Sequence, residues 1–156
     1  MPLMNAKDAV FAGDATCYIT LDGVRYLFMQ AKSVEATAEK VKKELPIMGT
    51  VKMGHKSGGL KYKGKAKFYY NTSIFRKAMK KYQDTGEDFY FDMTGINEDP
   101  TSSVGRQTVI LKGCNFDDMT IFKAEAGGDA LEEESSFTYE DFELPEEFAV
   151  LDGMIQ

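Results

Sequence analysis

Tryptophan is absent from this chain, histidine occurs once and cysteine twice. Any Ser-His or Cys-His dyad has to use His55, which sits among lysines in a Gly-rich stretch and reads as an exposed loop residue. Cys17 and Cys114 each fall in a strand-like apolar segment. They read as buried reduced thiols; a disulfide is the alternative, though nothing here requires one. The first ten residues, MPLMNAKDAV, lack the charged-then-apolar signal pattern. No apolar run approaches the roughly 20 residues that cross a bilayer. The expectation is a protein made in a cytoplasm, with no membrane partner.

Assembled chemistry is missing as well. Gly49 to Ser57 nearly spells a phosphate-binding loop, but the spacing is off by one residue and no helix follows to present amides. The carboxylates of Glu132 to Glu134, Asp117-Asp118 and Glu140-Asp141 have no His or Cys nearby. Adjacent ones on a strand point to opposite faces. Asn71-Thr72-Ser73 matches a glycosylation acceptor, yet without a secretion signal it reads as a helix cap. No catalytic residue, metal or cofactor is expected.

What the chain does have is aromatic residues and an uneven charge. Eleven Phe and eight Tyr in 156 residues supply a core, and a chain of this length buries roughly 70% of its unfolded surface. One domain over 1–156 is expected, with 1–13 an N-terminal arm and 147–156 a loose tail. The net charge of -6 argues against a general nucleic-acid binder. Residues 32–84 carry 14 Lys/Arg against 4 Asp/Glu, whereas residues 85–156 carry 3 against 18. Such a chain neutralises itself on folding or presents complementary surfaces to its own copies.

The residue pattern is that of strands. In Leu60 to Tyr70, Leu60, Tyr62, Gly64, Ala66, Phe68 and Tyr70 alternate with Lys61, Lys63, Lys65 and Lys67. An amphipathic helix follows over about 73–84, its cationic last turn suiting the dipole and Gly86 closing it. Asp88 to Met93 resumes as strand. Earlier, Thr16 to Leu21 and VRYLFMQ flank Asp22-Gly23, a two-residue hairpin turn. Residues 31–45 satisfy both a helical spacing and a continued strand. Ile47 to Lys56 reads as a short strand and Ser57-Gly58-Gly59 as a turn. Gly95 to Gly105 is a loop. Gln107 to Cys114 is a strand with Gly113 a candidate bulge, and Met119 to Ala124 its return. Ala130 to Phe142 is the last strand, ended by Pro145. About eight strands and one helix make a sandwich-like or barrel-like, mainly β domain. The lysine face of 61–67 has three readings: phosphate contacts, a solvated face guarding against edge pairing, or contact with an acidic surface of a neighbouring copy.

Four stretches share one resemblance: PIMGTVKMGHKSGG (46–59), KGKAKFYYNTSIFRKAM (63–79), GRQTVILKGCNFDD (105–118) and ALEEESSFTYEDFELPE (130–146). In order and spacing, over about 14–146, they resemble tail tube proteins of contractile-tailed bacteriophages and defective prophages of Gram-positive bacteria. The resemblance implies a small β-sandwich or split barrel with one flanking helix. It implies six copies in a ring, rings stacked into the inner tube of a tail, a sheath and a baseplate as partners, and DNA passing through the bore. Related contractile bacteriocins and secretion systems use such tubes without DNA, and a monomeric binding module is the rival from another class. The resemblance also turns 31–39 into strand and makes 40–56 the long loop that reaches the adjacent ring. The hairpins 16–39 and 107–124 are then expected to line the channel, with few cations (Arg25, Lys32, Lys112, Lys123). The expected subunit interface sets basic residues of 40–81 (Lys40, Lys42, Lys43, Lys52, His55, Lys56, Lys61, Lys63, Lys65) against acidic residues of 129–147 (Glu132, Glu133, Glu134, Glu140, Asp141).

Overall fold

The computed structural model describes residues 3–11, 13–28 and 31–155. Eight antiparallel strands and one helix follow a 3-10 turn at Ala6–Asp8. The strands are β1 (Ala15–Leu21), β2 (Val24–Leu27), β3 (Ala31–Pro46), β4 (Met53–Tyr69), β5 (Phe91–Glu98), β6 (Arg106–Phe116), β7 (Glu132–Thr138) and β8 (Asp141–Glu146); helix α1 is Ile74–Thr85. The sheet order is β2-β1-β5-β6-β7-β4-β3, with β8 also on β6. Asp22 and Gly23 both have positive φ (52° and 77°) and close the β1–β2 hairpin as their sequence demands. The end of the return strand, Met29 and Gln30, lies outside the described residues, as do Met1, Pro2 and Ala12 of the arm and Gln156 of the tail.

One corner bends the sheet on itself. Phe91 pairs with Cys114 and Met93 with Leu111, so β6 carries an extra residue there. Gly113, at φ 66°, supplies the bulge. Opposite it, β7 and β8 run along the same edge of β6, interrupted at Tyr139 and Glu140. Beyond this corner β7 joins β4 and β3; before it, β8 stays with β6. The inner faces meet around Ile19, Phe68, Phe91, Met93, Cys114, Phe116 and Phe137. Helix α1 inserts Phe75 into this core, against Phe28, Phe68, Phe91 and Phe116. The seam left open between β3 and the β1–β5–β6 face is a groove of about 850 Å³. This is the mainly β domain with one helix that the residue pattern predicts, and the helix flanks the sheet as the resemblance implies.

Several boundaries differ from the sequence reading. Residues 40–46 and 53–56 form no loop; they belong to a single β3–β4 hairpin whose turn is confined to 47–52. Ser57-Gly58-Gly59 is inside β4 rather than a turn. The helix ends in Gln83, Asp84 and Thr85, so its last turn carries no cation, while Gly86 closes it at φ 76°. The strand expected at 88–93 begins at Phe91 and runs on to Glu98, absorbing Gly95. Residues 119–124 are not a strand, so there is no 107–124 hairpin. The single last strand is two, and Pro145 lies within β8, an outer strand where a missing N–H costs little.

The terminal segments are anchored. Asp99, 3% exposed, accepts the Phe11 N–H at 3.1 Å, the Thr101 N–H at 2.9 Å and the Thr101 hydroxyl at 2.6 Å. Ser103 N–H donates to Lys7 O, and Ala149 N–H donates to Val104 O. The segment read as a loose tail is therefore tied at Ala149.

Candidate assembly surface

Period-two alternation in β4 buries Gly64, Ala66 and Phe68 and leaves Lys61, Lys63, Lys65 and Lys67 exposed. The neighbouring strands place carboxylates on that outer face. In register, Glu39 of β3 lies beside Lys61 and Glu35 beside Lys65, while Glu134 of β7 lies beside Lys67. Lys63 Nζ is 3.0 Å from Glu39 Oε2, and Glu132 is shared by Lys32 at 2.5 Å and Lys67 at 3.6 Å. The Lys32 ammonium, first by its hydrogen bond, holds the Glu132 carboxyl below its ordinary value. Lys63 does the same to Glu39. Part of the charge on this outer face, that of Lys63, Lys67 and Glu132, is thus paired within one chain.

Glu133 has to be removed from the expected interface. Its side chain is 1% exposed and its Oε2 lies 2.7 Å from Arg76 Nη1. The Arg76 guanidinium also donates to the carbonyls of Thr120 and Thr72 and lies 4.3 Å over the Tyr70 ring. Alternation alone turns Glu133 inward while Glu132 and Glu134 face outward. Arg76, distant in the sequence, makes that burial tolerable.

The remaining predicted residues divide by place. Lys40, Lys42, Lys43, Lys52, His55 and Lys56 are exposed on the β3–β4 arm. His55 pairs across the ladder with Glu44, its Nε2 3.6 Å from Oε1, so it lies in a strand and not in the expected loop. Lys43 faces Lys56 directly, a like-charge pair that a partner's carboxylate would relieve. Glu140 and Asp141 are exposed at the corner, where the Glu140 side chain covers Gly113. Among the described residues, Lys40, Lys42, Lys43, Lys52, Lys56, Lys61 and Lys65 on one side, and Glu134, Glu140 and Asp141 on the other, form no ion pair within the chain.

The sequence reading missed the apolar tip of the arm. Met48 and Val51 are 100% exposed, with Leu45, Ile47 and Met53 about half exposed. The signal was present in IMGTVKM, where apolar residues cluster around a turn glycine at φ 82°. The outer strands β2 and β3 also leave two edges unpaired among the described residues. Cys17 and Cys114 are free thiols, each pushed up to about 12 by burial, and are inert packing groups.

Residues 3–146 match the family model described as phage tail tube protein. The phage-like element PBSX protein XkdM of Bacillus subtilis (strain 168) is 41% identical over 118 residues, 76% of this chain and 80% of that protein. Two solved structures share the fold at low identity. The SPP1 tail tube aligns with a TM-score of 0.56 at 10% identity, over 87% of this chain and 78% of that one. A chain of the PVC sheath-tube complex, an extracellular contractile injection system in its extended state, aligns with a TM-score of 0.59 at 11% identity, over 82% and 86%. With that family match and that relative, the chain belongs to the phage tail tube proteins, a structural and non-catalytic family.

Proposed function

We propose that this chain is the repeating subunit of the inner tube of a contractile phage or prophage tail. Six copies close a ring, rings stack, and the bore conducts DNA. The observation that carries this reading is the β3–β4 arm: a long charged hairpin whose tip presents fully exposed Met48 and Val51. Such a tip is a liability in a monomer and an anchor in an assembly. The contacts are heterologous, since the arm and whatever receives it are different surfaces; only such contacts both close rings and propagate stacks. The whole chain acts as one tube domain within a tail particle, formed in the bacterial cytoplasm.

The bore reading is moved to other strands, since there is no 107–124 hairpin: it rests on one face of β1 and β5, where Thr20 pairs with Asp92, Tyr18 with Thr94 and Thr16 with Ile96. Arg25 is turned over the Tyr18 ring at 4.0 Å. Duplex DNA carries about one charge per 1.7 Å, so a bore without a cation stripe releases what passes. Sheath and baseplate are the proposed partners, in line with the sheath-tube and baseplate assemblies that contain structural neighbours. A tube of the same build that carries protein cargo is the second reading, favoured by the likeness to an injection-system chain. Electron microscopy of purified protein, with and without a nucleating baseplate, tests the assembly; nuclease-protected DNA in intact particles separates the two cargos.

A further inference from the structure

The segment 119–124 sets sequence against structure. MTIFKA has the β-branched and aromatic residues of a strand, yet among the described residues none of its N–H groups meets a backbone carbonyl. Side chains hold it instead, by its carbonyls and its one lysine. Arg76 donates to Thr120 O at 3.2 Å, the Tyr70 hydroxyl to Ile121 O at 3.4 Å, and Lys123 Nζ to Glu132 O at 2.7 Å. Ile121 and Phe122 are left 63% and 81% exposed. No other aromatic side chain among the described residues is as exposed as Phe122. A strand-forming segment that is pinned in place, unpaired and apolar outward is set up for strand addition.

The chain also carries a matching edge. Strand β2 is four residues long and ends the sheet. Its two-residue turn makes Leu21 and Val24 a hydrogen-bonded pair, and Ile19 and Tyr26 the next. Phe28 N–H to Cys17 O, at 2.8 Å, continues that phase. Arg25 and Leu27 therefore turn their N–H and C=O groups outward, beside Val24 and Leu27 side chains that are about half exposed. Resting on the reading of a self-assembling tube subunit, we propose that residues 120–123 of one copy pair as a strand with the outer edge of β2 of the next copy. The contact is heterologous, so every copy gives one segment and receives another, and the pairing propagates around a ring.

Amide hydrogen exchange on the free chain and on assembled particles tests this pairing. Alternate amides within 120–123, together with those of Arg25 and Leu27, are expected to slow by roughly tenfold or more on assembly. Leu27→Pro removes an outward N–H at an edge position that accepts proline, and Phe122→Asp charges the apolar contact; each is expected to suppress assembly with an unchanged circular dichroism spectrum. If Leu27→Pro fails to fold, Phe122→Asp and the exchange data decide. Assembled particles in which these amides exchange as fast as in the free chain overturn the pairing alone. A parent chain that never assembles, even on a baseplate, overturns the tube-subunit reading and the pairing with it.

Discussion

Arg76 of the helix and Glu133 of β7 form an ion pair at 2.7 Å beneath the segment 119–124, with Glu133 almost wholly buried. This pair ties together the helix, β7 and the two connections that flank them. Among the described residues Glu133 Oε1 has no hydrogen-bond partner and Arg76 is the one cation paired with the carboxylate.

Arg76→Ala is therefore expected to destabilise the chain by about 3–5 kcal/mol, because it strands a buried charge. Glu133→Lys is expected to prevent folding, whereas Glu134→Lys, on the solvent face, stays within about 0.5 kcal/mol of the parent. Circular dichroism reads the loss of fold in Glu133→Lys and urea midpoints the other two; a folded Glu133→Lys with the midpoint of Glu134→Lys would remove the pair from the account.

The contrast between Glu133 and Glu134 marks what the sequence could show. Strand alternation makes their opposite facing legible, but the partner of Glu133 is 57 residues away and nothing local announces it. The Asp22-Gly23 hairpin, the helix and the Gly113 bulge were legible because each rests on a local rule of φ or periodicity. The arm was legible in part: the resemblance made 31–39 strand, as β3 is, but beyond it a hairpin exposed on both faces has no apolar alternation to betray it, so 40–56 read as a loop. The strand expected at 119–124 failed for the converse reason, since the propensity is there and an in-chain partner edge is not. Of the expected interface, the lysine face was legible, but the pairing of Lys63 with Glu39 and of Lys67 with Glu132 depends on sheet order, which the sequence does not reveal.

Gly64 packs where a side chain has no room. A Cβ there would collide with Phe137 Cζ and sit 2.7 Å from the Glu35 carbonyl oxygen. Gly64→Ala is expected to cost about 1–3 kcal/mol, read as a lowered melting temperature. An unchanged melting temperature would mean that β3, β4 and β7 are less closely packed at this point.

Asp99 makes the N-terminal anchor acid-sensitive. Hydrogen bonds, that of the Thr101 hydroxyl first, hold its carboxyl below the ordinary 3.8. A depressed folded value means the stabilisation is complete above the unfolded value and lost as pH falls through the folded one. Asp8, held low chiefly by the Ser103 hydroxyl, acts in the same direction. The Phe11 amide is expected to stay protected at pH 5 and to lose protection below about pH 3.8 beyond the intrinsic rate. Asp99→Asn should abolish that step; a step that persists in the variant would assign it elsewhere.

The arm should matter to assembly and not to the fold of one copy. Met48→Asp with Val51→Asp changes two fully exposed side chains, so the monomer is expected to keep its stability within about 0.5 kcal/mol while losing assembly. Reversing Lys40, Lys42 and Lys43 to Glu is expected to weaken assembly most at low salt, because at 0.15 M the screening length is already about 8 Å. Sedimentation velocity at two ionic strengths reads both effects, and parental assembly by either variant would take the arm out of the contact.

The most direct test of the central claim is electron microscopy of the parent chain grown on a baseplate nucleus, with rotational averaging of end-on views. The account predicts hollow particles of six-fold symmetry that lengthen with added protein. A chain that remains monomeric at every concentration, with and without the nucleus, would contradict it.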